Sequence, residues 1–262
     1  MRNFIVRDYR ISMDQKRFQG CGPIKVVLLS DLHGTWYGQE QKLLVEEIRR
    51  QKPDLVVSAG DLVTLGEEPE AALALLRSLA EDFPVYCVNG NHESRIRDTP
   101  KERESYRNYR RELKDWGVHY LVNRRKRIRV KGLPMEIAGL EIGQPHYRRV
   151  GAVKLTEEEM NGLLEPSSPE VFSLLIAHNP MDFPVYAKWG ADLVLSGHLH
   201  GGYIRLPILG GVISPQMHLF PKYDRGKFRL GSSQMVVSAG LGDHDIKWRL
   251  LNPRELPVIR LE

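Results

Sequence analysis

Ala191-Asp192-Leu193-Val194-Leu195-Ser196-Gly197-His198-Leu199-His200-Gly201-Gly202 is an apolar run that empties into two histidines fenced by glycines. The run reads as a buried strand and the remainder as a tight loop. Imidazole is the commonest metal-binding side chain, and glycine lets backbone come close to an ion. Taken alone, a strand followed by a histidine loop is usually no more than a loop. What gives this one weight is that four other strand ends finish in residues of the same kind.

Working outward, Ile24 to Ser30 is a core strand running into Asp31-Leu32-His33-Gly34, and Asp54 to Ala59 is another running into Gly60-Asp61. Pro84 to Val88 ends in Asn89-Gly90-Asn91-His92-Glu93, and Phe172 to Ala177 ends in His178-Asn179-Pro180. Between them lie helical patterns: Gln39 to Arg50, Glu70 to Asp82 after Pro69, and Met181 to Trp189. Strands alternating with helices argue for largely parallel sheet covered by helices. Phe4 to Tyr9 reads as an edge strand. Arg95 to Lys114 is dense in charge and helical toward its end. His119 to Val122, Lys126 to Val130 and Met135 to Leu140 are short strands, followed by a short helix over Glu157 to Leu164. Gly226 to Leu230, Gln234 to Ser238 and Leu256 to Leu261 are short strands again. With no repeat, low-complexity linker or composition break, the expected fold is a four-layer α/β/β/α sandwich of two mixed β-sheets flanked by helices, residues 1–262 forming a single domain.

At 262 residues, 42% hydrophobic and 27% charged, the chain has an ordinary globular balance. No apolar run approaches the ~20 residues of a membrane span. Met1 to Arg10 has no apolar signal core, so the expectation is a cytoplasmic protein, with peripheral membrane contact allowed. Cys21 and Cys87 make no metal or redox motif and read as free thiols. A net charge of +5 suits an anionic substrate but does not by itself indicate nucleic acid.

The five strand ends carry Asp31 and His33; Asp61; Asn91 and His92; His178; His198 and His200. In open α/β sheets the loops leaving the carboxyl ends of parallel strands gather at one edge, where binding sites form. These groups offer nitrogen and oxygen and no thiolate, which suits Mn²⁺, Fe or Zn²⁺. They are too many for one ion. Two ions sharing a carboxylate would use them, and ions about 3.5–4 Å apart are the usual device for in-line phosphoryl transfer.

Asp31-Leu32-His33, Gly60-Asp61, Gly90-Asn91-His92-Glu93, His178 and Gly197-His198-Leu199-His200 resemble, in order, the five motifs of the calcineurin-like metallophosphoesterase family. The later part, in Gly201 to Pro207 and Pro221 to Gly226, is similar to the bacterial branch of membrane-associated and cell-wall phosphodiesterases. The resemblance implies the metallo-dependent phosphatase fold and two divalent ions. Asp31, His33 and His200 would hold the first ion; Asn91, His178 and His198 the second; Asp61 would bridge both. His92 would face the substrate as general acid or phosphoryl stabiliser. The implied reaction is hydrolysis of a phosphodiester, phosphomonoester or pyrophosphate by in-line attack of a metal-bridging hydroxide.

In one place the chain departs from a branch of the family. The protein serine/threonine phosphatases follow the bridging Asp with a further Asp-Arg-Gly. Thr64 and Leu65 stand in those places here, which argues against a phosphoprotein phosphatase and leaves Thr64, Glu93 or a backbone carbonyl as the partner orienting His92. A nuclease of the same fold is the alternative enzyme, and a binding scaffold without turnover the alternative of another class. His146 and Arg149, in the loop after Gln144-Pro145, are candidate substrate contacts. Arg124 to Arg127 reads as a solvated basic turn, Thr156-Glu157-Glu158-Glu159 as a helix N-terminus rather than a metal site, and Ile208 to Phe220 as core plus lid. His119, His218 and His244 read as ordinary surface or core residues.

Overall fold

The computed structural model describes residues 3–14, 16–149, 151–202, 204–206, 210–213, 219–243 and 249–262. The first sheet contains β1 (Phe4–Ile11), β2 (Ile24–Leu29), β3 (Leu55–Ser58), β4 (Val85–Cys87), β5 (His119–Tyr120) and β14 (Arg254–Leu261). Its spatial order is β1-β14-β2-β3-β4-β5, parallel throughout except where β14 meets β2. The second sheet contains β6 (Arg124–Val130), β7 (Leu133–Leu140), β8 (Phe172–Ala177), β9 (Leu193–Ser196), β12 (Gly226–Leu230) and β13 (Ser233–Val237). Here the order is β12-β13-β9-β8-β7-β6, with antiparallel pairs only at the two edges. Arg205–Leu206 (β10) and Gly210–Gly211 (β11) form a separate small ribbon.

The two sheets pack face to face, and helices close the outer faces. Along β2, Val26 and Leu28 point inward, toward Ile137, Leu174, Ile176, Leu193 and Leu195 of the other sheet. Val27 and Leu29 point outward, toward Leu44 and Ile48 of α1 (Lys42–Gln51), Leu75 and Leu79 of α2 (Glu70–Ala80) and Leu113 of α4 (Arg103–Asp115). A strand covered on both faces has no polar side to keep, which is why Ile24 to Leu29 reads as a continuous apolar run. On the far side Leu175, Val194 and Met235 meet Met160 of α5 (Glu157–Leu163) and Phe183, Tyr186 and Trp189 of α6 (Phe183–Trp189). The four layers expected of the chain are present.

Three local readings change. The helix expected over Gln39 to Arg50 is a 3₁₀ turn at Gln39–Gln41 followed by α1, because Gln41 adopts φ 61°. Its buried amide accepts from Tyr37 N–H (2.9 Å) and donates to the carbonyls of Thr35 (2.8 Å) and Ala71 (3.1 Å), contacts that fix the break. The basic stretch Arg124 to Arg127 is not a turn. It lies in edge strand β6, where Arg125 (3.1 Å) and Arg127 (3.0 Å) converge on the buried carboxylate of Glu136 across the ladder. Asn91-His92-Glu93 begins a helix, α3 (Asn91–Asp98), rather than remaining a loop. Thr156 caps α5 by accepting from Glu159 N–H (3.1 Å), in keeping with a helix start rather than an acidic metal site. Residues 208–209 and 214–218, most of the expected lid, lie outside the described residues, as do His218 and His244. Among the described residues no helix is long and apolar enough to cross a membrane.

Candidate metal centre

The parallel strands of both sheets deliver their carboxyl ends to one edge, and backbone contacts join the loops there. Asp31 N–H donates to the carbonyl of Gly60 (2.9 Å), His33 N–H to that of Asp61 (3.1 Å), and Gly197 N–H to that of His178 (3.1 Å). Each aspartate is anchored by a neighbouring loop: Asp31 Oδ1 accepts from His198 N–H (2.9 Å) and Asp61 Oδ1 from His92 N–H (2.8 Å). Asp31, His33, Asp61, His198 and His200 all have positive φ, between 45° and 72°. Left-handed backbone at non-glycine residues costs of order 1–3 kcal/mol each and collects at functional sites. Here it turns five candidate ligands inward at the strand ends.

Two clusters result. In the first, donor atoms of Asp31, His33 and His200 lie within 4.8 Å of one another; in the second, those of Asp61, His178 and His198 do. His33 and His200 bring their Nε2 atoms to 3.2 Å with rings stacked, and His200 Nε2 stands 3.5 Å from Asp31 Oδ1. His178 Nε2 stands 3.0 Å from Asp61 Oδ2 and 4.0 Å from Asp31 Oδ1, so the clusters are contiguous. Of the two triads only His33 is not fully buried.

The charges are strongly coupled. Burial pushes Asp31 up to about 6, with His178 opposing and the charge of Asp61 adding. At Asp61 burial acts the same way, but His178, His92 and His33 outweigh it and hold the carboxyl well below the usual carboxylate range. Burial alone would lower His178, yet the Asp61 carboxylate, with Asp31 beyond it, lifts it to about 9. His178 Nδ1 is engaged with the carbonyl of Ala59 (2.7 Å), so Nε2 is the atom that faces the carboxylates. Two carboxylates in a buried nitrogen-lined pocket demand positive charge, and a dication would take the place of the His178 proton.

The residues fit such an ion on independent grounds. Asn91 Oδ1 is buried and accepts no hydrogen bond. A buried polar atom of that kind calls for an explanation, and an ion is one. The donors are imidazole, carboxylate and amide oxygen, a set suited to Mn²⁺, Fe or Zn²⁺.

Supporting residues complete the site: Arg249, Asn252 and Tyr147 carry no sequence signal for it, whereas Glu93 and Thr64, expected from the sequence as partners for His92, take other tasks. Glu93 accepts from the N–H groups of Asp61 (2.8 Å), Leu62 (2.7 Å), Val63 (3.1 Å) and Gly90 (2.9 Å). Burial, with Asp61 adding, pushes its carboxyl up to about 7 against the pull of those donors. Its oxygens therefore tie the β3 loop to the start of α3 rather than orienting His92. Thr64 Oγ1 meets His33 Nδ1 (3.2 Å), so its side chain supports His33. Arg249 reaches His200 Nδ1 (3.0 Å), and Asn252 donates to the carbonyls of His200 (2.6 Å) and Gly202 (2.7 Å). The loop Gln144 to Tyr147 does lie at the site, where Gln144 donates to the Asn91 carbonyl (2.9 Å). The ring it presents is Tyr147, with its centroid 5.1 Å from His198. His146, expected to contact substrate, instead holds Val153 O through Nδ1 and Glu159 through Nε2, both at 3.0 Å. Arg149 is exposed.

Gly90 has φ −88°, open to any residue, so space rather than conformation demands glycine. A Cβ there would overlap the Asp61 carboxylate. Gly90→Ala is expected to lower metal affinity at least about tenfold, the scale of displaced supporting contacts, in a titration of the purified variant.

A model of the calcineurin-like phosphoesterase family matches residues 24–202. The chain is 30% identical over 252 residues to the metallophosphoesterase YkuE of Bacillus subtilis, covering 93% of this chain and 80% of that protein. It is 28% identical over 230 residues to the phosphodiesterase YaeI of Escherichia coli, covering 85% of this chain and 76% of the other.

Proposed function

We propose that this chain, which belongs to the calcineurin-like phosphoesterase family of metal-dependent hydrolases, cleaves phosphoesters at a centre of two divalent ions. Asp31, His33 and His200 are assigned to one ion (Mn²⁺, Fe or Zn²⁺), Asn91, His178 and His198 to the other, and Asp61 to both. The observation that carries the reading is the pair of contiguous buried clusters, linked through His178 and both aspartates. Bound ions would neutralise the phosphoryl oxygens and lower the pKa of a water to near neutrality.

The chain's own residues do the rest. Asp61 is kept ionised by the histidines around it, a state suited to a shared ligand. Asn91 offers oxygen without charge, so the site keeps its pull on an anion. His92, buried on the first turn of α3 with its ring edge-on to His33 (4.9 Å), is assigned to protonate the leaving oxygen or steady the phosphoryl charge. Arg149, exposed on the loop that carries Tyr147, is assigned to the substrate. The described elements are read as one domain, since a single apolar layer joins both sheets.

Diesters are favoured as substrates, in line with the name of the relative YaeI. A nuclease has less support. A basic cleft of about 800 Å³ holds Arg205, Lys222, Arg225 and Lys227, but Arg205 pairs with Asp224 (2.6 Å), Arg225 with Asn252 (3.0 Å), Lys227 with the Arg10 carbonyl (2.7 Å), and Lys222 lies over the Tyr223 ring (5.1 Å).

The direct test is hydrolysis of aryl phosphate diesters and monoesters with Mn²⁺, Fe²⁺ or Zn²⁺, alongside metal analysis. Turnover abolished by a chelator is expected; no turnover and no bound metal would favour the scaffold reading. Thr64→Val should leave the fold intact and weaken metal binding about 10–100-fold by releasing His33 Nδ1, measured as the metal concentration that restores activity.

A further inference from the structure

Two segments leave the candidate centre side by side. His178 is followed by Asn179 and then by Met181, Pro184 and Val185 at the start of α6. Tyr147, against His198, is preceded by His146, and the chain beyond it returns as Ala152, Val153 and Leu155. Between these segments lies a cleft of about 460 Å³, lined mainly by carbon. That volume falls within the range of small-molecule sites.

Several of the polar groups in its walls are already engaged. Asn179 Oδ1 accepts from Met181 N–H (3.1 Å), Asp182 Oδ1 accepts from Leu155 N–H (3.2 Å), and both ring nitrogens of His146 are taken. An incoming molecule therefore meets mainly hydrocarbon, with the Asp182 carboxylate in the wall and one exposed cation, Lys154, beside it. Val153 is 50% exposed and Met181 37%, apolar surface left open at the edge of a concave site. The cleft flanks the centre: His146 and Asn179 in its wall are the chain neighbours of Tyr147, which packs against His198, and of His178.

We propose that this cleft receives a hydrocarbon chain carried on the substrate's phosphoester, so that the preferred substrates are amphiphilic. The proposal rests on the phosphoesterase reading, which places the phosphoryl group at the two clusters. Binding of the chain then adds affinity from apolar burial while the anionic end is held by the centre.

The test has a binding arm and a turnover arm. n-Alkylphosphonates from methyl to octyl, which are not cleaved, are titrated into the metal-loaded protein by calorimetry. Methyl and octyl p-nitrophenyl phosphates are compared as substrates. Affinity should climb by up to about fourfold per methylene while the chain is being buried, and the octyl diester should show the lower KM. Val153→Asp and Met181→Asp, both at exposed positions, should flatten that climb and leave hydrolysis of the methyl diester unchanged. A flat series in the unaltered protein overturns the proposal even if the methyl diester is hydrolysed. A climb that survives both variants places the chain elsewhere and overturns it too. A climb abolished by the variants, in a protein that hydrolyses neither ester, supports the cleft as an apolar site and counts against the phosphoesterase reading.

Discussion

Asp61→Asn should yield a folded protein that hydrolyses an aryl phosphate diester about a thousandfold more slowly and binds less metal. The substitution is nearly isosteric, and the amide oxygen can still accept the N–H of His92 that now meets Asp61 Oδ1 at 2.8 Å. What disappears is charge. Asp61 lies 3.0 Å from His178, and the positive field of His33, from the other cluster, also acts on it. On the proposed assignment a neutral amide in that position removes the anion given to both ions, so each would be held less firmly and their spacing would no longer be fixed. Several kcal/mol of transition-state stabilisation are at stake, which is roughly a thousandfold in rate. The readouts are metal content of the purified variant and kcat at saturating Mn²⁺. Wild-type values of both would remove Asp61 from the centre.

The residues legible in the sequence share one property: their signal is local. Asp31, Asp61, His178, His198 and His200 each follow an apolar run within a few positions, and the glycines beside them mark turns. An unbroken run such as Ile24 to Leu29 also announces a strand covered on both faces. The supporting residues carry no such mark. Thr64 meets His33 across 31 positions, Arg249 meets His200 across 49, and Asn252 reaches the same loop across about 50. Only the packed sheets bring them together; Thr64 is marked by its place after Asp61, though as a partner of His92 rather than His33, and nothing in the immediate neighbours of Arg249 and Asn252 distinguishes them from surface residues. Glu93 is an intermediate case. It stands three residues after Gly90, the spacing of a helix-start carboxylate, yet its bonds to Asp61, Leu62 and Val63 come from the loop after β3. The loop at 144–149 reaches the site through Gln144 and Tyr147 rather than through His146. A histidine attracts a functional reading by its type, whereas its bonds to the Val153 carbonyl and Glu159 give the buried His146 a structural task and leave the aromatic Tyr147 facing the site.

His92→Ala is the complementary expectation, because it separates holding metal from using it. The side chain is assigned no ion, and the contact that binds this residue to Asp61 is its backbone N–H, which alanine retains. Glu93 continues to tie α3 to the β3 loop, so the carboxylate should stay in place. The substitution does remove a ring packed edge-on against His33. His33 keeps its Thr64 partner (3.2 Å) and its stacking on His200, which limits that disturbance. Metal content should thus remain at the wild-type level. Turnover should fall by about 10²–10⁴, the usual contribution of a positioned proton donor. The loss should also depend on the leaving group. An ester of a strongly acidic phenol needs little help in departing and should lose least, whereas an alkyl ester, whose alkoxide must be protonated as it leaves, should lose most. A uniform loss across leaving groups would point to phosphoryl binding rather than proton donation. A variant stripped of metal would instead make His92 part of the metal site, contrary to the division of roles proposed for the five loops.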